Sequence, residues 1–282
     1  MNSVTGRLIE VQPGLRLWVE AAPPSADPVL ILSNSIGSDY GMWDEVVARL
    51  SGQVRIIRYD TRGHGRSELG TEALTIEHLG RDVIGIMDAL EISRAVFCGL
   101  SLGGLTGQWL GAEAPERFDG LILANTAPSF PPPDLWLERA RTVRDSGMKE
   151  LVGPTVDRWL TEGFRVRQPD RAAGIRRMIA STPAEGYARC CEVLAITDLA
   201  YALPRVRVPV RVICGQHDPS ATPARGAEIV ASVPDADILT LDAAHISAIE
   251  AADAFAQAAL EFTKRVTSAK QREKRDVERK TD

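Results

Sequence analysis

Short β-branched runs alternate with stretches of helical spacing over most of the chain. The segments "RLIEV" and "LRLWVE", separated by "QPG", predict an opening antiparallel hairpin. Six further runs predict strands, at 29–35 (VLILSNS), 54–60 (VRIIRYD), 95–99 (AVFCG), 121–126 (LILANT), 210–215 (VRVICG) and 237–242 (DILTLD). Several of these are apolar without interruption, the pattern of strands covered on both faces in a parallel sheet. Amphipathic helices lie between them. In "TIEHLGRDVIGIMDAL", Ile76, Leu79, Val83, Met87 and Leu90 recur at three- and four-residue steps and form one apolar stripe. Thr75 suits an N-cap there, whereas His78 is a poor partner for a capping box. A last helix is predicted over about 251–266, with Phe255, Leu260 and Phe262 on its apolar side.

The alternation breaks between about 127 and 203. That stretch opens with "PSFPPPD" and continues as the helical patterns "LWLERARTVRDSG", "TVDRWLTEGFR", "AAGIRRMIAS" and "GYARCCEVLAITDL". A helical insertion on an α/β core accounts for it, giving a first core part over 1–127, a helical cap or lid over 128–203 and a second core part over 204–266. The end of the chain, 267–282, is almost wholly polar, which predicts a solvated or disordered tail.

Composition narrows the function classes. The 282 residues are 44% hydrophobic and 25% charged, as in a soluble globular protein, and suit one large domain with an insertion. A formal net charge of -5 argues against a nucleic-acid partner, which calls for a basic face. No apolar run approaches the ~20 residues that span a bilayer, and "MNSVTGRLIEVQPG" lacks the pattern of a secretion signal, so no membrane partner and a cytoplasmic location are expected. Cys98 and Cys214 fall in apolar runs, and Cys190 and Cys191 are adjacent without metal-binding spacing; all four read as buried free thiols. The pattern assigns no oligomeric state.

The candidate chemistry centres on "FCGLSLGGLTGQWL". "GLSLG" (99–103) fits G-x-S-x-G between a strand and a helix, the nucleophile elbow of α/β-hydrolases. Glycines flank the serine because a Cβ there collides with neighbouring backbone, and the turn holds the Ser101 hydroxyl clear of the sheet. A serine hydroxyl needs a general base, and the base an orienting acid, in the chain order Ser, acid, His. Of the four histidines, His78 lies within a helix, His64 precedes the serine, and His217 directly precedes an aspartate at a strand end. His245, between the last strand and the last helix, stands where the base belongs. For the acid, Asn125 ends a strand but carries no charge, whereas Asp218 ends the next; Asp242 is too close in sequence to His245. The oxyanion hole is assigned to the amide of Leu102 and, in the loop "SNSIGSD", to that of Ile36, each worth ~3 kcal/mol of transition-state stabilisation. Ser35 is a candidate for an added side-chain contact. This set makes acyl transfer without cofactor or metal the predicted chemistry.

The segments "LILSNSIGSDYGMWDEVV", "RIIRYDTRGHGRS", "FCGLSLGGLTGQWLGAEAPERFDGLILANTAP" and "STPAEGYARCCEVLAITDL" together resemble the 3-oxoadipate enol-lactonase family, from about Leu8 to Val266. The resemblance implies an α/β-hydrolase fold, with a mostly parallel eight-stranded sheet flanked by helices and a helical lid after the sixth strand. It implies hydrolysis of a small anionic lactone in bacterial breakdown of aromatic compounds. It further implies a Trp and an Arg early in the lid, matched here by Trp136 as pocket wall and Arg139 for the substrate carboxylate; Trp159 is a second wall candidate. Ala248 departs from the family's usual asparagine, and the loop "DPSATPARG" is about one residue longer than the usual form. Another serine esterase, lactonase or carbon–carbon hydrolase, and a ligand receptor on the same scaffold, are the alternative readings.

Overall fold

The computed structural model describes residues 6–23 and 28–281. Strands β1 (Gly6–Gln12) and β2 (Leu15–Ala21) form the antiparallel hairpin. β2 also pairs antiparallel with β4 (Arg55–Tyr59). From β4 onward every pairing is parallel, through β3 (Val29–Ser33), β5 (Ala95–Leu100), β6 (Phe118–Ala124), β7 (Val210–Gly215) and β8 (Ala236–Leu241). The eight-stranded order is β1-β2-β4-β3-β5-β6-β7-β8. The chain therefore reverses its winding beside β3, where β4 lies on one side and β5 on the other. In open α/β sheets ligands bind beyond the carboxyl ends of strands at such a crevice.

β3 and β5 are buried at every position, as their unbroken apolar runs require. Alternate residues feed two core layers: Leu30 and Leu32 face one, and Val29 and Ile31 the other. On the first layer α1 (Asp44–Leu50) packs against α11 (Ala252–Thr281), with the Trp43 and Phe255 rings 5.8 Å apart. On the second, α2 (Ile76–Ala89) packs beside α3 (Leu102–Glu113), and Ile229 of α9 (Pro223–Ser232) joins the same layer. The short α10 (Ser247–Glu250) precedes α11. All four cysteines are free and buried. Among the described residues no helix is long and apolar enough to cross a membrane.

Five helices separate β6 from β7: α4 (Pro133–Ser146), α5 (Lys149–Trp159), α6 (Glu162–Arg167), α7 (Pro169–Ala180) and α8 (Ala184–Ile196). The run "TVDRWLTEGFR" is two helices, because Thr161 caps α6 by accepting from the Phe164 amide at 3.2 Å. The insertion is tied at its base by a Ser129–Asp198 bridge and by the Leu199 amide, which donates to Pro128 O at 2.9 Å.

Two expectations are corrected. The polar end of the chain continues α11 to Thr281 instead of losing structure after about 266. Lys, Arg, Glu and Gln are strong helix formers, and extending a packed helix avoids the cost of nucleation. Asp282 lies outside the described residues. His78 does complete a capping box: its amide donates to Thr75 Oγ1 at 3.3 Å, and its Nδ1 accepts from the Thr75 amide at 3.2 Å. An imidazole acceptor here does the work usually done by Glu or Gln.

Candidate active site

Ser101 closes β5 with φ 59° and ψ -110°, a left-handed conformation that is strained for a residue with a side chain. Its amide donates to Ala124 O at 2.9 Å, and Thr126 Oγ1 donates to Ser101 O at 2.8 Å, so the end of the neighbouring β6 holds the turn through both backbone groups of the serine. A Cβ on Gly99 would stand 2.0 Å from Gly103 O, and one on Gly103 would stand 2.5 Å from Ser33 O. The flanking glycines are thus set by backbone contact on both sides of the serine.

Asp218 and His245 follow β7 and β8 and meet at the same sheet end. His245 Nδ1 donates to Asp218 Oδ2 at 2.7 Å, and both side chains are buried. The carboxylate holds the proton on Nδ1 and leaves Nε2 as acceptor. Asp218 Oδ1 accepts from the Ser220 and Ala221 amides at 2.8 and 3.0 Å, and Asn125 Nδ2 donates to Oδ2 at 3.1 Å. Burial pulls the Asp218 pKa upward, but the His245 imidazole and these donors outweigh it and hold the carboxyl below its ordinary value. Asn125, at φ 44°, also donates to Ala244 O at 3.2 Å and accepts from Ser247 Oγ. The asparagine that lacked the charge for the acid's role therefore orients the acid and the loop before the imidazole. Ala248 is packed in the core, and Ser247 makes the polar contact instead. In the longer loop, Thr222 caps α9 while Ser220 and Ala221 bind Asp218.

Ser101 and His245 line one cavity of about 30 Å³, together with Ile36, Phe130, Trp136, Arg139, Thr155, Arg158, Trp159, Tyr187 and Ser220. No hydrogen bond joins Ser101 Oγ to His245 in this arrangement; the two groups share the cavity wall. Such bonds are often loose without substrate. Neither the Ile36 nor the Leu102 amide donates a hydrogen bond within the described residues, leaving both N–H groups available beside the serine. The Ile36 loop is braced by His64, whose Nε2 accepts from the Gly37 amide at 3.0 Å. Burial pushes the His64 pKa down to about 4, so the ring stays neutral and can accept.

Trp136 and Arg139 form one wall, with the guanidinium 4.6 Å from the ring centroid and the indole N–H donating to Phe130 O at 2.7 Å. Trp159 is a wall residue as well. Ser35 is not: its amide meets Met42 Sδ at 3.4 Å, and its hydroxyl is buried without a partner, because the turn after β3 presents Ile36 to the cavity instead. An outer vestibule of about 330 Å³ shares Phe130, Trp136, Arg139 and Ser220 with the inner cavity. A larger depression of about 830 Å³ lies along α2 and α3, at Glu77, Arg81 and Trp109, and contains none of these groups. The inner cavity is the smaller but holds the candidate residues Ser101 and His245. Among the described residues no group of three or more His, Cys, Asp or Glu side chains converges to hold a metal ion.

The cap also reaches the histidine loop directly. The Ile246 amide donates to Trp159 O at 3.1 Å, and the Glu250 carboxylate accepts from the Ala244 amide at 2.9 Å and the Thr161 amide at 3.2 Å. The sequence reading missed Glu250, as it missed His64, Asn125 as an orienting group, and Arg158.

The model of the α/β-hydrolase fold matches residues 28–252. The 3-oxoadipate enol-lactonase 2 of Acinetobacter baylyi is 41% identical over 238 residues, 84% of this chain and 89% of that protein. The 3-oxoadipate enol-lactonase 1 of the same organism is 37% identical over 266 residues, 94% of this chain and all of that protein. The chain belongs to the 3-oxoadipate enol-lactonase family of α/β-hydrolases. Membership extends to the coordinates. The crystal structure of the enol-lactonase from Burkholderia xenovorans superposes with a TM-score of 0.86 at 43% identity, covering 88% of this chain and 96% of that one. The cap helices fall within residues 28–252, the span that the α/β-hydrolase model matches.

Proposed function

We propose that the protein hydrolyses 3-oxoadipate enol-lactone to 3-oxoadipate through an acyl-enzyme on Ser101. The observation that carries the reading is the bond from His245 to Asp218 at the rim of a cavity that also holds Ser101 and Arg139. It supports acyl transfer to an anionic substrate, and the names of the relatives supply the lactone. In this reading His245 Nε2 takes the Ser101 proton as Oγ bonds to the lactone carbonyl carbon. The carbonyl oxygen becomes an oxyanion between the Ile36 and Leu102 amides. Collapse breaks the ring C–O bond, and the departing enolate oxygen takes the proton from the imidazolium. A water then gives its proton to Nε2 and attacks the ester carbon, and the second collapse returns that proton to Ser101 and frees the diacid.

Arg139, stacked on Trp136, is the partner of the substrate carboxylate. The ring enters from the vestibule of about 330 Å³, across the wall of Phe130, Trp136, Arg139 and Ser220 that it shares with the inner cavity. The reading carries a role in bacterial aromatic breakdown and a cytoplasmic location, in keeping with four free thiols. The test is loss of enol-lactone absorbance with wild type and Ser101→Ala. Wild type turns the lactone over and the variant loses on the order of 10⁶ in kcat. Activity within tenfold in the variant contradicts the covalent mechanism, and an inert wild type contradicts the substrate.

A further inference from the structure

Arg158, on α5, has no part in the reading above. Its guanidinium lines the same cavity as Ser101, His245 and Arg139. Among the half-buried cap arginines, Arg165, Arg171 and Arg189 are each paired with a carboxylate and Arg139 and Arg158 are not; Arg141, Arg167, Arg176 and Arg177, also unpaired among the described residues, are exposed. Asp157, adjacent in sequence, pairs with Arg165 instead. The hydrogen bond found for Arg158 runs from Nη2 to Thr155 Oγ1 of its own helix, at 3.2 Å. Burial, and after it the charge of Arg139, hold the Arg158 pKa below the usual guanidinium value.

Two like charges therefore face a small cavity whose other walls include Ile36, Phe130, Trp136 and Trp159. Burying such charges without counter-charge is costly, and apolar walls strengthen their attraction for an anion. We infer that Arg158 is a specificity-determining residue, forming with Arg139 a two-guanidinium subsite for carboxylate ligands that is fully matched by a dicarboxylate. Ring opening fits this charge count: the lactone carries one carboxylate, and hydrolysis turns its carbonyl carbon into a second. The inference rests on the lactonase reading for the identity of the substrate, while the subsite itself is tested apart from turnover.

The probe is adipate, compared with the monocarboxylate pentanoate, titrated calorimetrically into the full-length Ser101→Ala protein. Adipate binds at least about tenfold more tightly than pentanoate, and adding Arg158→Met removes about tenfold or more of the adipate affinity. Arg158→Lys keeps part of it, which separates charge from packing. In the active enzyme Arg158→Met raises KM for the anionic lactone about tenfold, with kcat for it and kcat/KM for neutral phenyl acetate changed less than about threefold. Adipate affinity unchanged by Arg158→Met, or equal losses on the anionic and neutral substrates, overturns the subsite. Adipate binding that depends on Arg158 in a protein inert toward the enol-lactone supports the subsite and sinks the substrate reading alone.

Discussion

Replacing Asp218 by asparagine tests the electrostatic part of the site with little change in volume. The carboxylate accepts four hydrogen bonds, from His245 Nδ1, Asn125 Nδ2 and the Ser220 and Ala221 amides. An asparagine can keep the two backbone bonds through its carbonyl oxygen. Its amide group then faces two donors, Asn125 Nδ2 at 3.1 Å and His245 Nδ1 at 2.7 Å from the old Oδ2 position. The imidazole answers by moving its proton to Nε2, where it can no longer accept from Ser101. The negative charge that stabilises the imidazolium is lost as well. In serine proteases the corresponding change lowers kcat about 10⁴-fold, equivalent to about 5.5 kcal/mol. A loss of about 10³–10⁴ in kcat is expected here, with KM changed far less, because the defect lies in proton transfer. The assay is steady-state turnover of the lactone and of a neutral aryl ester, with circular dichroism to show that the fold is retained. A variant that folds and keeps kcat within tenfold of wild type refutes the assignment of Asp218.

Two further outcomes follow from the same geometry. Gly99→Ala drives a Cβ to 2.0 Å from Gly103 O, a backbone atom that cannot swing away, so destabilisation of about 3 kcal/mol or more is expected from the urea midpoint; a loss under 1 kcal/mol contradicts the packing of the elbow. His64 has a folded pKa of about 4, below the ordinary 6.5, so the unfolded chain takes up the proton first. Its contribution is complete above pH 6.5 and is lost as pH falls toward 4, about 2 kcal/mol between pH 7 and 5, read from denaturation curves; His64→Gln, which keeps an acceptor for Gly37, flattens that slope, and an unchanged slope removes the assignment.

The parts of this molecule visible in its sequence are those governed by local pattern. Unbroken apolar runs marked β3 and β5 because each is buried on both faces. The triad candidates were legible because each sits at a strand end in a fixed chain order, and the glycines beside Ser101 announce the backbone contact that requires them. What stayed hidden depends on neighbours distant in the chain. Arg158 reads as one more charge on a polar helix until packing turns it inward, away from Asp157. His64 gives no sign of supporting Gly37, nor Glu250 of joining the histidine loop to the cap. Ser35 reads as a candidate side-chain contact, but its hydroxyl is buried and it does not line the cavity that Ile36 lines. The tail's polarity concealed a helix rich in Lys, Arg, Glu and Gln, which favour that state.

The central claim is that Ser101 is the nucleophile, activated by His245 held on Asp218. Titration with an organophosphate, with activity and intact mass followed together, tests it most directly. Activity falls in proportion to one phosphoryl group per chain, located on the peptide that carries Ser101, and adipate slows the labelling. Complete labelling of Ser101 with activity retained, or inactivation by a group attached elsewhere, contradicts the account.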